Sequence, residues 1–252
     1  MNSTISIWLW VLGSVTVVSA VSLVGVAALA LTRARLDRLM FLLVSLAVGA
    51  LFGDAFLHLL PAAFAGGEAA LRQSLLVLAG LGVFFVLEKF LHWHHRHEVD
   101  ESPGVRAFGW MILVADGLHN FIDGLLIGAA YLAGFPTGLA TTLAVVLHEV
   151  PQEIGDYAVL LRAGFTPRRA AWLNFLSALT AVAGAVLALV VGQQMAGLTD
   201  WLLPVAAGGF VYIAGSDLVP ELHRETAPGR SAAQLAMIAV GIGLMLALRW
   251  LE

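Results

Sequence analysis

Long apolar runs, separated only by short polar breaks, follow one another through the whole of this sequence. Hydrophobic residues make up 60% of the 252 positions, and charged residues only 12%. A helix needs about 20 consecutive apolar residues to cross the hydrocarbon core of a bilayer. We therefore predict an all-α integral membrane protein with eight transmembrane helices, at about residues 5–31, 38–64, 71–91, 107–133, 137–163, 168–192, 201–222 and 231–251.

The breaks leave no room for a globular insert, so residues 1–252 are interpreted as a single transmembrane domain. The first run, from Ile5, has no basic segment before it and is interpreted as a membrane span, not as a cleaved signal peptide. The absence of cysteine excludes disulfides, thiolate metal sites and cysteine nucleophiles. The small net charge of −4 gives no basis for a nucleic-acid partner.

The distribution of lysine and arginine predicts the orientation. Eleven of the thirteen basic residues lie in or beside the breaks after the first, third, fifth and seventh runs. The positive-inside rule places these breaks in the cytoplasm, so both termini are expected on the extracytoplasmic side. The longest polar segment, residues 92–106, is then a cytoplasmic loop, and it contains His92, His94, His95 and His97. We interpret these histidines as a weak metal-capture site, and the alternative is an ordinary solvated loop.

Two of the predicted spans carry dense groups of polar residues. The fourth contains DGLHNFIDG (116–124), and the fifth contains HEVPQEIGD (148–156). At 100° per residue, the polar side chains fall in a sector of about 100° in the fourth span and about 140° in the fifth, and apolar side chains occupy the opposite side. Charged groups are costly in a bilayer and tend to face a cavity or to pair with one another. The pattern predicts two helices that face each other across a polar site.

The residue types in this predicted site suit a divalent metal. Imidazole nitrogen with carboxylate and amide oxygen is the ligation that zinc and its neighbours accept. His119 and Asp123 lie one turn apart on the fourth span, and His148 and Gln152 repeat that spacing on the fifth. Pro151 lacks an N–H and is expected to kink the fifth span. The alternative is that these side chains only bond between helices, and HEVPQ lacks the second histidine of the metalloprotease motif H-E-x-x-H.

Other polar residues in the spans are further candidates. In the second span, GDAFLH (53–58) places Asp54 one turn before His58. In the sixth span, Asn174 either completes the metal site or bonds between helices. Asp116, at the start of the polar segment of the fourth span, is expected nearer the membrane interface or paired with another polar group.

HNFIDG in the fourth span followed by HEVPQEIGD in the fifth resembles the paired signatures of the ZIP (Zrt/Irt-like) family of divalent metal transporters. GDAFLHLLP is similar to that family's second span, and the eight spans, outside termini and histidine-rich loop fit as well. The resemblance implies zinc uptake into the cytosol, with Fe²⁺, Mn²⁺ or Cd²⁺ as alternative cargo. It also implies a homodimer and the movement of one helix bundle against another.

The resemblance further implies a two-metal site between the fourth and fifth spans. The residues that match the first metal position are His119, Asp123, His148 and Gln152. Those that match the second are Asn120, Glu149 and, from the sixth span, Asn174. Asp54 and His58 match residues along the ion pathway. Gln152 stands where many relatives carry histidine or glutamate, and because a neutral amide is a weaker ligand, Glu153 is a candidate to compensate.

We therefore expect a transporter and not an enzyme, located in the plasma (inner) membrane, with the lipid bilayer and divalent ions as its partners. Ligands of moderate strength would let the ion leave again during alternating access. The alternative is a membrane-embedded zinc-dependent hydrolase, in which Glu149 or Glu153 would serve as the base for a zinc-bound water. A zinc sensor that binds the ion without flux is a third interpretation.

Overall fold

The structure, a computed structural model, describes residues 4–65, 70–97, 105–195 and 197–251. All regular secondary structure in these residues is helical, which confirms the predicted all-α class. The α-helices are α1 Thr4–Val21, α2 Val24–Ala28, α3 Arg33–Asp54, α4 Leu60–Ala65, α5 Ala70–His97, α6 Val105–Ala133, α7 Phe135–Arg162, α8 Pro167–Ala178, α9 Thr180–Gln194, α10 Leu198–Tyr212, α11 Val219–Leu222 and α12 Pro228–Leu248. Two π-helical segments, Ala55–Leu59 and Ile213–Leu218, connect α3 to α4 and α10 to α11.

Seven helical stretches in the described residues are long and apolar enough to cross a membrane, judged by length and composition. The helix α7 is not among them, although its 28 residues are sufficient in length. Its middle carries the polar segment 148–156, which lowers its apolar content. The eight spans therefore stay a prediction, because the composition of α7 does not by itself indicate a membrane span.

The structure divides two of the predicted apolar runs. The first run is broken between α1 and α2 at Ser22 and Leu23, and the sixth is broken between α8 and α9 at Leu179. At the first break, the carbonyl oxygen of Ser22 accepts a hydrogen bond from Asn174 Nδ2 at 3.3 Å. Apolar composition continues across both breaks, so hydropathy alone does not reveal them.

The helices pack as two groups. In the first, α6 packs along α9 and α7, and α1 packs against both α7 and α9. In the second, α3 packs along α12 and α5 packs along α10. The main contacts between the groups join α3 to α7 and α6 to α10. The two helices with the dense polar segments, α6 and α7, are therefore neighbours, and both also contact the second group.

Glycine permits backbone contact where α6 crosses α9. A Cβ on Gly124 would collide with the backbone carbonyl of Ala181, and a Cβ on Gly184 would collide with that of Phe121. Such close approach is typical of helices in membranes, where van der Waals contact supplies much of the attraction between helices. This crossing lies where the polar segment of α6 ends, at Gly124, and fixes the position of that part of α6 against α9.

The π-helical segment after α3 is tied to the end of α12 at two points. Pro61 has no N–H to donate to the carbonyl of Leu57, and Arg249 Nη1 donates to that oxygen at 3.1 Å instead. His58 Nε2 donates to the carbonyl oxygen of Met245 at 2.9 Å. These contacts hold a non-α geometry in the middle of the predicted second span.

The predicted loop at 92–106 is shorter in the structure, because α5 continues to His97 and α6 begins at Val105. No proline or glycine precedes Pro103 in this segment, so no helix breaker ends α5 earlier. The backbone of His92, His94, His95 and His97 is thus helical, but their side chains lie outside the described part of the structure. Their role in metal capture stays a prediction.

Candidate metal centre

Four side chains that can bind a metal converge where α6 and α7 face each other: His119, Asp123, His148 and Glu149. We name them the His–carboxylate cluster. His119 Nε2 lies 3.4 Å from His148 Nε2 and 3.5 Å from Asp123 Oδ2. His119 Nε2 also lies 3.3 Å from Glu149 Oε1. From His148 Nε2, the distances are 3.3 Å to Asp123 Oδ2 and 3.6 Å to Glu149 Oε1.

These separations are those of a tetrahedral zinc site. Zinc binds histidine nitrogen and carboxylate oxygen at about 2.0–2.2 Å. The edge of a tetrahedron is about 1.63 times its centre-to-corner distance, so ligand atoms should stand about 3.3–3.6 Å apart. Five of the six separations among the four donor atoms run from 3.3 to 3.6 Å. All four donor atoms lie within 4.8 Å of one another, so the cluster is close to the size that one ion needs.

A hydrogen bond determines which nitrogen of His148 faces the cluster. His148 Nδ1 lies 3.1 Å from the carbonyl oxygen of Ala144, which can only accept, so Nδ1 carries the proton. In the neutral imidazole, Nε2 then presents a lone pair, the form in which histidine binds metals. In that neutral form, its short separations from Asp123 Oδ2 and Glu149 Oε1 are contacts between acceptors. A cation at the centre would replace this repulsion with attraction.

The carboxylates of the cluster are buried without hydrogen-bond donors. Asp123 and Glu149 are both 0% exposed, and their carboxylate oxygens lack a protein donor among the described residues. A buried charge without a partner is strongly unfavourable, and buried carboxylates are normally paired or bound to metal. The side chain of His119 is 20% exposed, which leaves one side of the cluster accessible to an ion.

A second group of carboxylates adjoins the first and shares Glu149 with it. Ligand atoms of Asp116, Glu149 and Glu153 lie within 4.8 Å of one another, and all three residues are buried. We name this group the carboxylate cluster. Asp116 lies one turn before Asn120 on α6, and Glu153 lies one turn after Glu149 on α7. This group is therefore displaced toward the start of α6 and the end of α7.

Two buried amide side chains are oriented by the carboxylate cluster. Asn120 Nδ2 donates to Asp116 Oδ1 at 2.8 Å, and Asn174 Nδ2 donates to Glu153 Oε2 at 2.5 Å. The Oδ1 atoms of both asparagines are buried and have no protein donor in the described ranges. Ser177 Oγ donates to Asp116 Oδ2 at 2.5 Å and fixes that carboxylate. Since amide oxygen is a ligand for hard divalent cations, both Oδ1 atoms are available to an ion here.

The structure extends the predicted ligand assignment at Glu149. Glu149, predicted for the second metal position, belongs to both clusters. Gln152, predicted for the first position, lies one turn after His148 on α7 and is half-buried, and its role as a ligand stays a prediction. Asp116, expected near the interface or paired, is 4% exposed and is paired through hydrogen bonds from Asn120 and Ser177. It also faces Glu149 and Glu153, and its depth in the membrane stays a prediction. The sequence signal for this contact was the place of Asp116 in the polar sector of α6, about 60° from His119.

Asp54 and His58 lie outside both clusters and contact different neighbours. Asp54 is fully buried, and Thr141 Oγ1 of α7 donates to its Oδ2 at 2.9 Å. His58 contacts the Met245 carbonyl of α12. The expectation that these two residues stack one turn apart assumed α-helical geometry, but residues 55–59 form a π-helix. In a π-helix the hydrogen bonds join residues five apart, so His58 is turned away from the direction that a rotation of 100° per residue would give it.

The sequence matches one family of known proteins over nearly its whole length. The family model described as ZIP zinc transporter covers residues 5–106 and 94–249. The chain belongs to the ZIP zinc transporter family. It is 30% identical to zinc transporter SLC39A7 of Canis lupus familiaris, across 99% of this chain and 72% of the relative. It is also 39% identical to zinc transporter ZIP13 of Pongo abelii across 81% of this chain, and 42% identical to zinc transporter ZIP10 of Homo sapiens across 54%.

Membership of the ZIP family confirms the resemblance predicted from the two polar segments. Together with the apolar helices, it makes the chain a multi-pass integral membrane protein. The chain spans less than two thirds of two of these relatives, 65% of the Pongo abelii protein and 18% of the human one. All three relatives are named as zinc transporters, so the hydrolase alternative has no support.

Proposed function

We propose that this chain carries Zn²⁺, its substrate, across the membrane into the cytosol by alternating access. The observation that supports this most strongly is the His–carboxylate cluster, whose donor atoms stand at the separations of a tetrahedral zinc site. The names of the relatives support the same cargo. The ligands are His119, Asp123, His148 and Glu149.

Polar residues that recur along α7 support a route for the ion. Thr141, which bonds to Asp54, lies two turns before His148, and Asp156 lies two turns after it. At 1.5 Å per residue these positions cover about 22 Å of the helix, most of the thickness of the hydrocarbon core. In the positive-inside orientation the Arg162 end of α7 faces the cytoplasm. The ion would pass Asp54, bind the His–carboxylate cluster, and leave through the carboxylate cluster toward Asp156.

The different donors of the two clusters support a transfer between them. The His–carboxylate cluster has two imidazole nitrogens, which suit zinc, whereas the carboxylate cluster and its two asparagines offer oxygen alone. Because Glu149 belongs to both, an ion can move from one to the other without losing all of its ligands at once. Moderate binding at each step is what conduction requires. The alternative cargoes Fe²⁺, Mn²⁺ and Cd²⁺ stay predictions.

The burial pattern of α7 supports its role as a span despite its composition. Glu149 and Glu153 are fully buried, so its polar side faces protein and not lipid. With α7 included the spans number eight, and an even number agrees with the arginine distribution that places both termini outside. The plasma-membrane location and the homodimer stay predictions.

Zinc uptake by sealed vesicles reconstituted with the full chain tests this function, with a zinc-sensitive dye enclosed inside them. Wild-type protein should take up zinc, and His119→Ala should lose most of this flux because one of four ligands is removed. His223→Ala makes the same change at an exposed histidine and should match the wild type. Undiminished flux in His119→Ala, or equal loss in both variants, would contradict the proposal.

A further inference from the structure

We propose that a groove beside the start of α8 binds an anionic phospholipid. The groove has a volume of about 790 Å³. It lies where the break between α1 and α2 approaches the turn between α7 and α8. Its lining residues are Leu23, Thr166, Arg168, Arg169, Ala171, Trp172 and Phe175. This site is separate from the two clusters that the proposed transport uses.

The charge of the groove is positive and uncompensated. Its lining includes two arginines and no acidic residue. Arg168 and Arg169 are both exposed, and within the described residues neither forms an ion pair with a carboxylate. The guanidinium carbon of Arg169 lies 5.4 Å from the centre of the Phe165 ring and 5.8 Å from that of Trp110, which restrains its position. Guanidinium groups bind phosphate through paired N–H donors, so a phosphate headgroup fits this end.

The rest of the groove is apolar and suits an acyl chain. Trp172 is 58% exposed and Leu23 is 46% exposed, although both are large hydrophobic side chains. The rings of Trp172 and Phe175, tilted by 35° with 6.0 Å between their centres, form one wall. Tryptophan is enriched at the membrane–water interface, where an apolar body meets a polar headgroup region. A soluble anion would use the arginines but not this wall, and therefore the groove favours a lipid.

A second cavity also contains two arginines, but it differs from the groove beside α8 in its charge. That cavity, about 380 Å³, is also lined by two arginines, but each is neutralised by a neighbour. Arg224 Nη1 lies 2.6 Å from Glu221 Oε2, and Arg230 Nη1 lies 2.8 Å from Glu225 Oε2. Its arginines already have carboxylate partners, so it offers an anion no net attraction. Of these two cavities, only the groove beside α8 combines an apolar wall with arginines that have no carboxylate partner among the described residues.

The predicted orientation places this groove at the leaflet where anionic lipids are available. The turn between α7 and α8 is one of the arginine-rich breaks assigned to the cytoplasmic side. That leaflet carries anionic lipids, and each basic residue near its surface adds about fivefold to binding, equivalent to about 1 kcal/mol. Arg168 and Arg169 should together give a clear preference for an anionic over a zwitterionic headgroup.

Tryptophan quenching by brominated lipids tests the proposal with the full chain in vesicles. The wild type and Trp172→Phe are compared, so that the difference in emission reports Trp172 alone. Each is measured in phosphatidylcholine vesicles that contain an equal small fraction of dibrominated phosphatidylglycerol or dibrominated phosphatidylcholine. We expect the Trp172 signal to be quenched at a several-fold lower fraction of the brominated phosphatidylglycerol, because the groove concentrates the anionic lipid.

Paired arginine variants provide the control. Arg168→Gln with Arg169→Gln should abolish the preference and return quenching to the phosphatidylcholine level. Arg35→Gln with Arg38→Gln removes the same charge from exposed arginines outside the groove and should keep the preference. Equal quenching by both lipids in the wild type would overturn the proposal. So would a preference that survives the first pair, or one that both pairs abolish equally, since that would be a general surface-charge effect.

Discussion

Removal of one imidazole from the His–carboxylate cluster should weaken zinc binding by a predictable amount. Structural zinc sites with four protein ligands in zinc-finger peptides bind zinc with about 10–16 kcal/mol at pH 7. One ligand of four therefore averages about 2.5–4 kcal/mol at most in a transport site, which corresponds to a Kd up to about 10²–10³-fold weaker. The three donor atoms that lie 3.3–3.6 Å from His148 Nε2 are the other three ligands of the cluster. Each of them already occupies its own position, so none is expected to replace the lost imidazole. His148→Ala should thus weaken the tighter zinc site by up to that factor.

Competition with a fluorescent zinc chelator, in purified protein, measures this Kd. The matched control is His58→Ala, because His58 is also a buried histidine, 1% exposed, but bonds to the Met245 carbonyl away from both clusters. Both variants should lose stability, since each leaves a cavity. Only His148→Ala should lose zinc affinity. An unchanged Kd in His148→Ala, or an equal loss in His58→Ala, would refute the assignment of the cluster as the zinc site.

Three further changes test other parts of the structure. Asp116→Asn should weaken a second, looser zinc ion and spare the tighter one in a two-site titration, and loss of the tighter ion would count against two separate clusters. Gly124→Ala should lower the free energy of unfolding by about 1–3 kcal/mol, because its Cβ collides with backbone. Gly243→Ala, at a helical position with open space, should be neutral or slightly stabilising, and equal shifts in Tm would contradict this contrast. Thr141→Val should cost about 1–3 kcal/mol because buried Asp54 loses its donor, whereas Thr141→Ser keeps the hydroxyl and should cost less.

The existence of the helices and the pairing of α6 with α7 could be predicted from the sequence. Apolar length predicts membrane helices, and a polar sector that recurs on two consecutive spans predicts that they face each other. The breaks at Leu23 and Leu179 could not be predicted, because hydropathy continues through them. The direction of His58 could not be predicted either, since a rotation of 100° per residue fails in a π-helix.

The choice of ligands within the polar sector also depends on more than the sequence pattern. The angular position of Gln152, about 40° from His148, favours it over Glu149 at about 100°. In the structure, Glu149 nevertheless belongs to the cluster. The way α7 packs against α6 decides which side chain of α7 reaches the centre. Asp116 acquires its role from Ser177 and Glu153 on other helices, and these contacts are not visible in the pattern of α6 alone.

Anomalous diffraction from crystals of the zinc-loaded chain, recorded at the zinc absorption edge, tests the central claim most directly. The strongest peak should lie between α6 and α7, about 2.0–2.2 Å from the donor atoms of His119, Asp123, His148 and Glu149. A map in which zinc is bound only elsewhere, or in which these four side chains point into separate packing contacts in excess zinc, would contradict this claim.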